Sequence, residues 1–357
     1  MQQEKTRKNF GEMVKKVFLL IGKFFYRYRY FWNKLGVALI TLALTTVLIF
    51  FILRLTPGDI VHNYAMSLAS QRNVTYEEGY RLAVMLLNYD PNEPIFSQFF
   101  RYVKGLMEGN LGQSLYAEGI TANLLIKQRL PWTLFISSVA LFISFLLGSF
   151  LGSFIARKRS GVREGVITSY IVVSNAIPDY LMGLLLVILF AYETPIFPAQ
   201  GNYDIAYTPG WNLPFIGNVL YHAFLPILAY VFVQTGGWAM AMRGSAVGVL
   251  GEDYINAARA RGLPEGLITK KYLKRNALLP LITSLALSFA GLFGGSVLME
   301  SVFNYPGIGM ELSARIGSRD YFVVQGILFF TSSVVIFVNL ITDSIYSIID
   351  PRVRRSN

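Results

Sequence analysis

The chain has 357 residues, of which 54% are hydrophobic and only 15% charged, with a formal net charge of +11 and a mean hydropathy of +0.46. Soluble domains usually carry about 25% charged residues, so this composition excludes an ordinary water-soluble globule. The lack of any cysteine excludes disulfides, thiol catalysis and cysteine-rich metal sites.

A hydrocarbon core of roughly 30 Å needs about 20 apolar helical residues. Six runs reach that length: Leu35 to Leu55, Leu134 to Ala156, Val166 to Tyr192, Ala223 to Met242, Ala277 to Leu298 and Val323 to Ile345. Barrel strands would instead alternate over about ten residues, a pattern absent here. The expected fold class is therefore all-α and polytopic, with six transmembrane helices. The spans divide the chain into a basic N-terminal segment (1–34), a first span (35–55), a long loop (56–133), a five-span core (134–345) and a tail (346–357).

With the N-terminus inside, the inner segments 1–34, 157–165, 243–276 and 346–357 hold 23 Lys and Arg, against 8 in the outer segments 56–133, 193–222 and 299–322. The positive-inside rule puts both termini in the cytoplasm. The same distribution accounts for the net charge without invoking nucleic acid. Residues 1–34 mix basic side chains with Phe24, Phe25, Tyr26, Tyr28, Phe31 and Trp32, which suits either a helix lying on anionic lipid or a simple topology anchor. The first clean apolar run starts only at residue 35, is long enough to span and lacks a small-residue cleavage site, so a retained span is expected.

His62 and His222 are far apart in sequence and read as surface or interface residues, with no metal site expected. The one Gly-Lys pair, Gly22-Lys23, lacks the upstream glycine of a phosphate-cradling loop. Energy for any work must come from a partner or a gradient. In the long loop, Pro94 to Glu108 places Ile95, Phe99, Phe100, Val103, Leu106 and Met107 near helical spacing.

Among the ionisable residues near the spans, Arg54, Glu300 and Asp343 lie at span ends, where snorkelling or a salt bridge accounts for them. Asp179 sits near the middle of the third span beside Pro178, with Asn175 one turn earlier. A proline there permits a kink where the helix faces protein or a wet cavity. Asp179, Asn175 and Pro178 are the candidates for a solute path; pairing of Asp179 with a partner subunit is the rival role.

Between spans four and five lies EDYINAARARGLPEG (residues 252–266). Asp253 is expected to cap a short helix, Ala257 and Ala258 to share a face open to close approach, Gly262 to end the helix in the left-handed conformation, and Pro264 to open a second short helix. Physics alone leaves a docking element and a solvated connector equally open.

The run Asn256-Ala257-Ala258 with Gly262, then RNALLP downstream, resembles the EAA loop of ABC importer permeases, in the subgroup that moves dipeptides and oligopeptides. LTPGDI (55–60), DPNEPIFSQFFRYVKGLMEGNLGQSL (90–115), LPWTL (130–134), ESVFNYPGIG (300–309), RDYFVVQG (319–326) and DPRVR (350–354) resemble that subgroup's landmarks in the same order. Asn256 replaces the usual glutamate, Ile60 a common proline and Asn110 a common aspartate. The resemblance implies one half of a type I importer in the cell membrane, paired with a second permease. Two cytoplasmic ATPase subunits would hold ATP and Mg, and an external solute-binding protein would deliver cargo. It implies ATPase contact by Asp253, Tyr254, Asn256, Ala257, Ala258, Arg259, Arg261 and Gly262. It places Glu300, Tyr305, Pro306 and Gly307 in an external gate region and makes 56–133 an external lobe. The chain itself is then no enzyme and carries no cofactor. Cargo is expected to be dipeptides or oligopeptides, with oligosaccharides as the alternative. An ion-coupled carrier using Asp179 and an intramembrane hydrolase are the competing classes; neither explains the EAA-like loop.

Overall fold

The computed structural model describes residues 29–55, 60–87, 93–114, 116–117, 119–157 and 161–349. Residues 1–28 of the basic N-terminal segment, 56–59 within the landmark LTPGDI, and 350–357 with the landmark DPRVR fall outside the described residues. Every regular element described is helical. In chain order these are α1 (Arg29–Leu55), α2 (Ile60–Arg72), α3 (Tyr76–Leu87), α4 (Ile95–Met107), α5 (Ala122–Arg157), α6 (Val162–Ala176), α7 (Asp179–Val187), α8 (Leu213–Leu250), α9 (Asp253–Ala260), α10 (Glu265–Leu267), α11 (Lys274–Gly291), α12 (Val297–Val302), α13 (Ile308–Gly317) and α14 (Tyr321–Ile349).

At the centre α5 and α8 run side by side in the same direction. A Cβ on Gly148 would lie 2.8 Å from the Thr235 carbonyl, and one on Gly152 2.7 Å from the Met242 side chain. Glycines four residues apart let two membrane helices touch backbone to backbone, where dispersion and weak polar contacts hold them together. The two helices have 36 and 38 residues, about 54 and 57 Å at ~1.5 Å per residue, so both project well past a bilayer.

Five helices are long and apolar enough to cross a membrane, and α6 with α7 makes a sixth crossing if the bent pair counts as one. Its contacts favour one crossing. Glu164 lies 3.6 Å from Arg243 near one end of α8, and the Gln200 carbonyl lies 3.1 Å from His222 Nδ1 near the other. The third span is thus broken where the sequence suggested only a kink: α6 and α7 meet at 100°. Pro178 cannot give an N–H to the Ser174 carbonyl, and Ile177 is extended, with ψ 122°.

At the α14–α1 contact Lys34 and Asp343 pair at 2.8 Å, as a span-end carboxylate permits. Arg54 lies over the rings of Phe50 and Phe322, at 5.2 and 5.5 Å. In the segment after α1, α2 and α3 form a hairpin around Val61, Ala65, Leu68 and Ala83. The expected helix at 94–108 is α4, whose Phe99 packs on Phe50 at 5.3 Å. Ile95, Phe100 and Met107 are exposed, so only part of that apolar stripe is covered.

Candidate functional site: a glycine-stopped helix, a broken span and a buried carboxylate

The stretch 252–266 folds around a glycine stop. Gly262 has φ +73°. Its N–H donates to the Arg259 carbonyl at 2.9 Å, and the N–H of Leu263 reaches back to the Ala258 carbonyl at 3.3 Å. This pair of bonds is the Schellman arrangement, which satisfies carbonyls a helix end leaves open. Leu263 joins Ile255, Ala258 and Ile268 in a small apolar cluster that seats α9 on the base of the fifth span. Asp253, Tyr254, Asn256, Ala257, Arg259, Arg261 and Gly262 remain exposed.

Three expectations about this loop need correction. Glu252, not Asp253, occupies the cap position, and no side chain makes a cap bond; Asp253 is the first helical residue. Ala257 and Ala258 do not share a face: Ala258 is buried and Ala257 exposed, because adjacent helical residues point about 100° apart. Pro264 is the cap of α10 rather than its first residue, and α10 runs through a π turn (Ile268–Leu273) into α11 instead of standing alone. One short helix is therefore braced against a span, and Arg259 pairs with Glu265 at 2.8 Å across the turn.

The broken span brings Asp179 to the middle of the bundle. Packing locates both halves: a Cβ on Gly236 of α8 would lie 3.1 Å from the Asn175 amide nitrogen, and one on Gly183 of α7 2.9 Å from Met299 Sδ. Asp179 stands in the first turn of α7, half-buried, and its Oδ1 accepts the Tyr180 N–H at 2.8 Å. Asn175 and Pro178 beside it are exposed. The buried Tyr230 of α8 lies near Asp179, Ser137 and Ser296. Asp179 forms no ion pair among the described residues.

Glu300 overturns its expected role at a span end. It is 1% exposed and neither snorkels nor pairs with a cation among the described residues. Oε1 accepts the Thr133 hydroxyl at 2.7 Å, and Oε2 accepts the Met310 N–H at 2.9 Å. Thr133 Oγ1 in turn accepts the Ile308 N–H at 2.8 Å. A carboxylate at the start of α13 also suits the helix dipole. Burial pushes the Glu300 carboxyl above the usual carboxylate range, and the Met310 and Thr133 donors oppose that shift. Gly307 leaves the room this needs, since a Cβ there would strike the Glu300 carboxyl group. Tyr305 is fully buried, edge-on to Trp132 at 6.2 Å, and Pro306 is half-buried.

A second buried network escaped the sequence reading. Glu311 pairs with Arg129 at 3.0 Å and with Arg315 at 2.8 Å. Arg315 also reaches Asp320 at 3.2 Å, and Asp320 accepts the Ser114 hydroxyl at 2.6 Å. The Glu311–Arg315 spacing of four was the available signal. Gly112, with φ +110°, comes so close that a Cβ would lie 2.7 Å from the Phe322 carbonyl. The landmarks NLGQSL and RDYFVVQG therefore meet in space. His62 bonds Tyr76 at 2.8 Å, and among the described residues no cluster of His, Asp and Glu is arranged to hold a metal ion.

A family profile described as "binding-protein-dependent transport system inner membrane component" matches residues 148–355. The chain belongs to this family. Within it, the chain is 30% identical over 329 residues to the probable peptide ABC transporter permease protein y4tP of Sinorhizobium fredii, covering 91% of this chain and 99% of that one. It is 30% identical over 329 residues to the oligopeptide transport system permease protein OppB of Haemophilus influenzae, with the same coverage. It is 28% identical over 326 residues to the dipeptide transport system permease protein DppB of Lactococcus lactis, again covering 91% and 99%. Family membership makes the chain a multi-pass membrane component of a binding-protein-dependent transport system, not itself a catalyst.

Proposed function

We propose that this chain is a permease subunit of an ATP-driven importer for dipeptides or oligopeptides, working beside a second permease, two ATPase subunits and an external binding protein. The observation that carries the coupling role is the construction of α9: Ile255 and Ala258 anchor one face while the opposite face stays open. A short helix stopped sharply and packed on a span moves as a rigid unit. ATP and Mg would be held by the ATPase subunits, and closure of that pair would push α9. Through the Ile268 contact the push reaches α10 and α11, and through Val249 it reaches α8. Both termini and α9 then face the cytoplasm, and the helices of 56–133 form an external lobe. Peptide cargo is supported by the names of the relatives, which speak of peptides, dipeptides and oligopeptides. Asp179, Asn175 and Pro178 would line the path. The region of Glu300, Tyr305, Pro306 and Gly307 would be the fixed frame of the external gate.

The test is Gly262→Val in the assembled importer. The space around Gly262 is open, so only its backbone angle resists a side chain. The variant should insert and bind the second permease, while ATPase copurification, binding-protein-stimulated ATP hydrolysis and uptake into proteoliposomes fall together. Wild-type hydrolysis and uptake would overturn the coupling role of α9.

A further inference from the structure

The break between α6 and α7 carries a carboxyl group, Asp179, that forms no ion pair among the described residues. Asp179 lies at mid-bundle depth, facing Tyr230 from α8, and its carboxylate meets one backbone N–H and no Lys or Arg among the described residues. Pro178 has no N–H to give the Ser174 carbonyl, which breaks the helical ladder at this point, and Ser174 itself is fully buried. The Asn175 side chain and the ring of Pro178 are exposed on the same stretch. Half-exposed at that depth, the carboxylate would be costly against hydrocarbon, and irregular backbone there belongs against protein or a wet cavity. The other carboxylate of this region, Glu300, has hydroxyl and backbone donors and is sealed by Gly307. Of these two carboxyl groups, Asp179 is the one that is half-exposed and accepts a single backbone N–H among the described residues. We infer that Asp179 is a cation-selective station on the cargo route, accepting an ammonium group of a passing peptide. A cationic cargo would satisfy the carboxylate, and an anionic cargo would be repelled.

This inference rests on the reading of the chain as a peptide importer, and its test separates the two. Uptake of Ala-Lys-Ala and Ala-Glu-Ala would be measured in proteoliposomes holding the full importer and its binding protein, for wild type, Asp179→Asn and Asp179→Glu. Because the binding protein is common to all, its own preference cancels in the ratio between variants. The Lys over Glu ratio should fall about tenfold in D179N, the order expected for a charge-assisted hydrogen bond made neutral, and D179E should keep it. Asn175→Asp, which adds a carboxylate on the same stretch, should raise the ratio and serves if D179N assembles poorly. An unchanged ratio, or an equal fall for both peptides, would overturn the inference and leave the importer reading standing. No uptake of either peptide by the wild type would overturn the peptide reading and this inference with it.

Discussion

Two glycine turns at opposite ends of the bundle, Gly262 after α9 and Gly307 before α13, look alike in sequence and differ in cause. Gly262 adopts φ +73° with nothing within 4 Å of the position a Cβ would take. Gly307 has an ordinary φ of −91°, and its missing side chain is filled by the Glu300 carboxylate. The first is a matter of backbone angle on an exposed lever, the second a matter of volume in a sealed frame. Under the proposed coupling, the first would belong to a part that the ATPase subunits push and the second to a part that stays fixed.

Breaking the frame should cost most. Glu300→Ala leaves the Thr133 hydroxyl and the Met310 N–H without their acceptor, at about 1–3 kcal/mol for each buried group stranded. A thermal scan of the purified protein should show a marked drop in Tm, and Glu300→Gln, which keeps one acceptor oxygen, should fall in between. Equal Tm values for all three proteins would remove Glu300 from the frame. Gly307→Ala comes next, since a methyl must displace the carboxylate, an overpacking cost of about 1–3 kcal/mol. Restoring stability by adding Glu300→Ala to it would prove the clash, whereas additive losses would argue against it.

The lever sharpens the comparison through residue choice. At Gly262 a valine should cost about 1–2 kcal/mol locally, and an asparagine, which tolerates the left-handed region, much less. Coupled ATP hydrolysis should therefore rank glycine, asparagine, valine. At Gly307 the same two substitutions should both fail, because volume decides there; parity of asparagine with glycine at that site would contradict the distinction. The smallest effect concerns the loop 194–212. Donation from Asn218, helped by His222, holds the Asp204 carboxyl below the usual carboxylate range. A depressed value contributes stability above the unfolded pKa near 4 and loses it as the pH falls further. Hydrogen exchange at residues 201–207 should quicken only in that acid window, and Asp204→Asn should flatten the dependence.

Much of the bundle was legible because its signals are local. Runs of about 20 apolar residues place the spans, and Gly262 announces the end of α9, whose last helical residue is Ala260. The helix α4 follows from its apolar spacing. Other features had no local signal. Glu300 reads as a span-end charge until Thr133, 167 positions away, supplies its hydroxyl. The network through Glu311 joins residues from three distant stretches, and only the Glu311–Arg315 pair lies within one helix.

Sequence alone determined that the chain enters the membrane repeatedly and that a short glycine-stopped helix interrupts it between spans four and five, because hydropathy, backbone angles and proline geometry act over a few residues. Only the tertiary structure decided that the third span breaks at 100° instead of bending. It alone turned Ala258 inward and Ala257 outward, and buried Glu300 while leaving Asp179 half-exposed. Those outcomes depend on which helix packs against which, and the energy of a carboxylate in a bundle is set by the donors that distant segments bring to it.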